Sequence, residues 1–282
     1  MPYNSAELLE NGKLPQNIQE PLKTYISEAQ FFAKVVTPDL SRLSTGSQIV
    51  EIGSGIGLLA LFLSSKGFAV TAFEPQSSGF DQMNEMRREI VANWKPNSPP
   101  VEFREALLDE STKLDKLADY IFAINVIEHV PDYLTLIANG IRAKTDDGIF
   151  RLICPNYTVP YEPHFNIPII FSKKITKFIF KRRISRSTIP NNEEFWNDLS
   201  WPTQHGLNKS LKSIGWEVAF SRDATNEYLK RGLSDPAFIA RKGRVVGKLL
   251  KLISFLSKIV RFVPPAFLPI IDCRISTRKK TD

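Results

Sequence analysis

The stretch VEIGSGIGLLALFLSSKGFAVTAFEP, residues 50–75, sets two carboxylates and three glycines around one strand-to-helix turn. Gly53, Gly55 and Gly57 alternate, so the backbone there can take positive φ and approach a ligand with no Cβ in the way. The helix beginning beyond them offers unpaired N–H groups. A dinucleotide-binding turn reads GxGxxG, with a pyrophosphate against the helix N-terminus. Here the spacing is GxGxG, and Glu51 stands two residues before the first glycine. A carboxylate at that place suits an ammonium or sulfonium group better than a pyrophosphate. Glu74 ends the next strand, where an acid can accept both hydroxyls of a ribose. The expected ligand is ribose-bearing and cationic near the turn.

A second set of chemically capable residues lies downstream. The chain has three histidines, His129, His164 and His205, each in a segment expected near the ligand cleft. His129 follows Glu128 in NVIEHVPD (125–132), where it either serves as a base or, with Glu128, caps and orients the next helix. His164 sits in YTVPYEPHFNIP, whose three prolines make a loop stiff enough to place side chains. Tyr157, Tyr161, Glu162 and His164 either line an acceptor pocket or form a rigid lid without chemistry. His205, in WPTQHGL, is expected at a helix start and is the third candidate for touching substrate.

The elements that must carry these groups alternate. Strands are expected at 47–53, 69–75, 101–106, 120–126 and 148–156, with helices at 57–67, 80–94 and 133–144 between them. That rhythm argues for an α/β fold with a parallel sheet covered on both faces. It breaks after Asn156 and resumes with a helix at 203–214 and a strand at 216–222. Residues 157–202 are therefore read as an insertion over the carboxyl ends of the strands, where open α/β sheets bind ligands.

The glycine turn with its two acids resembles motif I of the class I S-adenosylmethionine-dependent methyltransferases, E/D-x-G-x-G-x-G, and the resemblance runs over residues 45–225. It implies a Rossmann-like three-layer sandwich on a mostly parallel seven-stranded sheet, with S-adenosyl-L-methionine as cofactor. It implies that Glu51 lies near the methionine moiety, that the glycines face the cofactor and that Glu74 binds ribose. Glu105-Ala106 stands where the family usually carries Asp-Ala against the adenine, and Asn125 and Val126 fall on the cofactor side of the segment after the fourth strand. NVIEHVPD is similar to that segment in ubiquinone-pathway O-methyltransferases. Some of those hold a metal through E-x-x-E-H; the matching residues here are Asn125, Glu128 and His129, and with an amide in the first place no metal is expected. The implied layout is an N-terminal helical segment (1–45), a cofactor-binding core (46–156), the insertion (157–202), the rest of the core (203–240) and a basic amphipathic extension (241–282).

Two distant cysteines, Cys154 and Cys273, offer neither a disulfide framework nor a CxxC pair. The first residues lack a basic and an apolar region of the secretory kind, so a cytoplasmic protein is expected. The net charge of +7 is concentrated after residue 160, which leaves RNA, anionic lipid and acidic substrates open as partners. NVIEHV is not the N/D-P-P-Y/F of base-modifying enzymes and no RNA-binding module is visible, so nucleic acid is disfavoured. A scaffold without catalysis is disfavoured by the presence of both cofactor acids. Residues 245–262 place Val245, Leu249, Leu252, Ile253, Leu256, Ile259 and Val260 on one helical face and Lys248, Lys251, Lys258 and Arg261 on the other. Such a helix either lies at the inner face of a membrane or packs on the protein or a second copy. The expected reaction is methyl transfer to an oxygen, with nitrogen second, of a small molecule, sugar or lipid-linked acceptor.

Overall fold

The computed structural model describes residues 16–75, 81–94, 100–187, 189, 191–241, 247–248, 252, 260 and 262–277. Seven strands form one sheet in the order Glu102–Arg104 (β3), Ala69–Phe73 (β2), Gln48–Ile52 (β1), Ala118–Ile124 (β4), Lys144–Pro155 (β5), Ile270–Thr277 (β9) and Trp216–Phe220 (β8), and Tyr161–Glu162 (β6) with Ile167–Pro168 (β7) forms a separate hairpin. The α/β class and the mostly parallel sheet expected from the sequence are both present. The chain divides into two compact units, Met1–Ala123 with Thr135–Phe150, and Ile124–Leu134 with Arg151–Asp282.

In the first unit, β1 (Gln48–Ile52) pairs in parallel with β2 (Ala69–Phe73) and β4 (Ala118–Ile124), and β2 pairs with β3 (Glu102–Arg104). From Ile49 onward β1 is buried at every position, which a parallel strand covered on both faces requires. The helix after the glycine turn, Leu58–Ser65, is buried along Leu58 to Ser64 and is therefore apolar all round. It stops as the sequence predicts, at Gly67, whose φ of 88° ends the helical hydrogen bonding. A long helix, Gln16–Leu40, lays Leu22, Ile26 and Ala29 at helical spacing against Ile56, Leu58, Leu61, Met86 and Ile90. This packing fixes the turn from the outside.

In the second unit, the segment read as an insertion is more ordered than its prolines suggest. It contains a hairpin of Tyr161–Glu162 against Ile167–Pro168, a helix at Lys173–Ser185 and another at Asn192–Asp198. Its two ends meet, because the Tyr157 amide donates to the Pro202 carbonyl at 3.0 Å. The helix Gln204–Ser213 and the strand β8 (Trp216–Phe220) follow where they were expected.

One expectation is corrected. Residues 270–277 do not belong to a surface extension: Ile270–Thr277 is strand β9, pairs antiparallel with β8 and sits between β5 (Lys144–Pro155) and β8. The prolines at 264, 265 and 269 obscure its start, although the buried Ile271, Cys273 and Ile275 show the alternation of a strand. The amphipathic pattern over 245–262 lies outside the described residues except for Gly247, Lys248, Leu252, Val260 and Phe262; of these, Val260 is buried with Leu229, Phe238 and Leu268.

Strand β9 is held by a buried ion pair. Asp272 accepts Arg151 Nε at 2.9 Å and Nη2 at 2.8 Å, and also the Ala224 amide at 3.0 Å in the first turn of the helix Asp223–Ser234. Both charged side chains are fully buried. Asp272→Ala would take away the two-pronged partner of the guanidinium and leave Asp223, 3.7 Å from Nη2, as a more distant one; breaking a buried pair costs about 3–5 kcal/mol. Urea denaturation should show that loss, whereas Lys230→Ala, which removes an exposed pair with Glu227, should shift stability by less than about 1 kcal/mol.

Candidate functional site

The glycine turn sorts its three glycines by role. Gly57 has φ 79°, and a Cβ there would meet the Phe103 ring at 2.5 Å, so this glycine is required by packing against strand β3. Gly55 has φ 55°, and a Cβ added there would meet the Met83 methyl at 3.7 Å, an ordinary contact, so its conformation rather than crowding calls for glycine. Its own peptide groups are engaged, the amide by Glu74 and the carbonyl by Arg87. Gly53 also takes positive φ, and its amide donates to the Phe73 carbonyl at 2.8 Å, tying the turn to the end of β2.

The two acids expected at the turn are both there. Glu51 is 5% exposed, and its Oε2 has no hydrogen-bond partner. Burial, and then the charge of Glu74, push its carboxyl well above the usual carboxylate range, against a backbone hydrogen bond with Ala60. A buried, half-satisfied acid of this kind fits a cationic group delivered by a ligand. Glu74 accepts the Gly55 amide on Oε2 at 2.7 Å; burial raises its carboxyl, opposed by that amide and by Arg87. The acid read as a ribose ligand thus also braces the turn.

Arg87 was not foreseen. On the helix Asp81–Asn93 it is buried, donates to Glu105 at 2.8 Å and lies 3.5 Å from the Gly55 carbonyl. It links the glycine turn to Glu105-Ala106, so the Glu105 carboxylate is held by an arginine. No sequence signal marks Arg87, which looks like one more charge on an amphipathic helix.

In the second unit, Asn125 follows β4 with φ 54° and an exposed side chain, while its amide donates to the Ile153 carbonyl at 2.8 Å. Val126 then caps a single 3-10 turn, Ile127–His129, which carries Glu128 and His129. Glu128 is fully buried and neither carboxylate oxygen has a hydrogen-bond partner. Burial pushes it up to about 7, with His164 opposing and Glu162 adding to the rise. Nε2 of His129 lies 3.9 Å from Glu128 Oε1; burial, and then the neighbouring His164, push this imidazole down to about 4.

His164 stands at the tip of the hairpin, and Glu162 holds it there. The Glu162 carboxylate is buried and meets His164 Nδ1 at 2.6 Å, the His164 amide at 3.2 Å and the Phe165 amide at 2.7 Å. Burial alone would raise Glu162, but the His164 side chain and these amides outweigh it and hold the carboxyl below its usual value. Tyr157 donates to the same carboxylate at 3.3 Å and stacks on Trp201 at 5.5 Å; Tyr161 reaches Asn166 at 2.6 Å. Both phenols are pushed upward, chiefly by burial. Their hydroxyls are committed to building the loop.

The structure brings His129 and His164 together, with ring centroids 5.0 Å apart, and Phe195 packs on both at 5.0 and 5.3 Å. Phe195 is a second residue that the sequence did not single out. Ser200 closes the arrangement by donating its amide to the Glu128 carbonyl at 2.7 Å and its hydroxyl to the Ile127 carbonyl at 2.9 Å. His205 is exposed on the second residue of its helix and joins none of these contacts.

The raised Glu51 carboxyl has a consequence for binding. If its proton leaves when a cationic ligand arrives, affinity must rise with pH until the free protein has itself lost that proton, and be flat above. Calorimetry of S-adenosylhomocysteine in buffers of different ionisation enthalpy should therefore detect proton release. Glu51→Gln should abolish the release and weaken binding by about 1.5–3 kcal/mol, the scale of a hydrogen bond to a charged group.

Comparison with known proteins gives the family of the chain. A family model described as "Methyltransferase domain" matches residues 25–219. The uncharacterized protein Rv1509 of Mycobacterium tuberculosis is 29% identical over 256 residues, covering 89% of this chain and 86% of that protein. The ubiquinone biosynthesis O-methyltransferase of Rickettsia canadensis is 29% identical over 182 residues, covering 64% of this chain and 70% of that one. The plantazolicin methyltransferase BpumL, solved with a triazolic desmethylPZN analog and S-adenosylhomocysteine, covers 97% of this chain and 95% of its own at 12% identity and a TM-score of 0.50, a likeness of fold. With motif I folded as the family requires and the family model spanning most of the chain, this protein belongs to the methyltransferase-domain family and is a class I S-adenosylmethionine-dependent methyltransferase.

Proposed function

We propose that the chain methylates an oxygen of a small-molecule, sugar or lipid-linked acceptor, and that Glu128, His129 and His164 handle the acceptor's proton. The observation that carries this reading is the pairing of an unpartnered buried carboxylate with two imidazoles under one aromatic ring. When bound, S-adenosylmethionine supplies a methyl group on a sulfonium, ready for in-line displacement. An amine attacks such a carbon as its free base, whereas a hydroxyl carries a proton that must go elsewhere. A cluster able to accept that proton therefore favours oxygen. The Rickettsia canadensis relative, an O-methyltransferase by name, points the same way.

The residues take distinct roles in this reading. Glu51 receives the cationic end of the cofactor and Glu74 its ribose, with Gly53, Gly55 and Gly57 shaping the turn and Glu105, Ala106, Asn125 and Val126 on the cofactor side. Of the proton-handling groups, Glu128 at about 7 is better matched to neutral pH than His129 at about 4. Glu162, with Tyr157 and Tyr161, positions His164 rather than touching substrate. Incubation with methyl-labelled cofactor and fractionated metabolites should yield a labelled methoxy product by NMR. Glu128→Gln should lower its formation at least tenfold while leaving S-adenosylhomocysteine binding unchanged. A labelled N-methyl or C-methyl product would refute the assignment to oxygen.

The lipid-linked form of the acceptor is supported by the helix Lys173–Ser185. Its inner residues Lys173 and Lys177 are engaged with the Asn192–Asp198 helix and its end, through the Asn197 and Leu199 carbonyls and Glu193. Outward, at helical spacing, stand Ile175, Phe178 and Ile179, with Phe171 just before the helix; Phe171 is 95% exposed and Phe178 84%. Exposed Lys174, Arg182 and Arg186 lie among them. Apolar side chains interleaved with cations suit shallow insertion into an anionic membrane surface. No described helix is long and apolar enough to cross a membrane. Flotation with anionic liposomes should carry the protein upward at low salt and release it as salt rises. Phe171→Ser with Phe178→Ser should abolish flotation, and a wild-type protein that stays with the soluble fraction would leave a soluble acceptor.

A further inference from the structure

We propose that Glu128, His129 and His164 form a binding site for one divalent transition-metal ion of the zinc type. Each of the three offers a ligand atom, and these atoms all lie within 4.8 Å of one another. One carboxylate oxygen and two imidazole nitrogens are a donor set that zinc accepts, with a fourth position left open. The sequence argues against a metal because Asn125 breaks E-x-x-E-H, and Asn125 is indeed exposed. The third ligand comes instead from His164, on the hairpin after β5, which no spacing in NVIEHVPD foretells.

Three further features fit an ion. The Glu128 carboxylate is fully buried with both oxygens unpartnered, an arrangement that costs stability unless something compensates it. Glu162 engages Nδ1 of His164, so Nε2 is the nitrogen left to bind a metal. A carboxylate on the far nitrogen is the usual way in which a metal-binding imidazole is oriented and made more basic. Phe195 covers both rings, so water is kept from one side of the cluster. Binding requires the ligand atoms, 3.9 Å apart between Glu128 Oε1 and His129 Nε2 and within 4.8 Å across the set, to close to the ~3.3 Å of a tetrahedral site with ligands at about 2.0–2.1 Å. Such ligands bind an ion through an ionised carboxylate and neutral imidazoles. With the ion bound, Glu128, His129 and His164 would be its ligands and not takers of an acceptor's proton, so the site stands apart from the reading of oxygen methylation, in which the same groups act without an ion.

The test is binding, read without turnover. The full chain is stripped with a chelator, dialysed and titrated with Co2+, whose visible ligand-field absorption reports tetrahedral coordination, and zinc content is measured in parallel. One ion per chain is expected, with zinc displacing cobalt. Glu128→Gln and His164→Ala should each abolish the cobalt spectrum. Glu162→Gln, which keeps the size of the side chain but weakens its hold on His164, should reduce affinity about 10–100-fold. His205→Ala should change nothing. S-adenosylhomocysteine calorimetry on every variant shows that it is folded, and a failure in wild type would strike the cofactor assignment while leaving its ion test intact. The proposal is overturned if wild type takes up no ion, or if uptake survives unchanged in the Glu128→Gln, His164→Ala double variant.

Discussion

A carboxylate removed from water must be paired, hydrogen-bonded or protonated, and this chain buries several. The way each is compensated organises the molecule. Asp272 meets Arg151 in a two-pronged contact and caps a helix. Glu162 gathers two amides, an imidazole and a phenol. These acids are fully satisfied by the chain, and each anchors an element: Asp272 the last strand to join the sheet, Glu162 the hairpin after β5. Glu51 and Glu128 are different, because burial leaves part or all of their carboxylates without partners. Their compensation must come from a proton or from outside. The partnered acids hold the architecture, and the unpartnered ones are left for a proton or a ligand to satisfy.

The same division explains why the two sites are built on short, stiff pieces. Glu51 lies on a strand buried on both faces, and Glu128 on a single 3-10 turn pinned by Ser200. Neither side chain can swing out to water to relieve its own charge. His164 has more freedom by position, at a hairpin tip, and Glu162 removes it. Such arrangements cost folding free energy, which the paired acids and the apolar clusters around Leu22 and Trp196 offset.

Much of the donor side was legible in the sequence because its logic is local. A glycine turn, the acid two residues before it and the acid at the end of the next strand fall within residues 50–75. Even there, sequence could not separate Gly55, where a Cβ would meet only an ordinary contact, from Gly57, which makes room for Phe103. The acceptor side was legible only as a set of candidates. His129 and His164 were singled out, but their meeting depends on a hairpin that prolines disguised as a loop. Arg87 and Phe195 were missed because one resembles a surface charge and the other a core aromatic. Strand β9 was missed because three prolines and a basic tail outweighed the alternation of Ile271, Cys273 and Ile275.

That late strand alters how the chain's end should be understood. Arg151 lies on β5 and Asp272 on β9, so the pair joins residues far apart in sequence. Asn156, at the end of β5, donates to the Ala266 and Leu268 carbonyls at 2.9 and 2.8 Å and accepts the Gln204 and Thr158 amides on its side-chain oxygen. One buried amide thus ties the start of the insertion, the helix after it and the approach to β9 into a single knot. The loop that carries Glu162 and His164 leaves β5 directly from this knot. Asn156 is thus a shared anchor of the approach to the C-terminal strand and of the loop that carries His164.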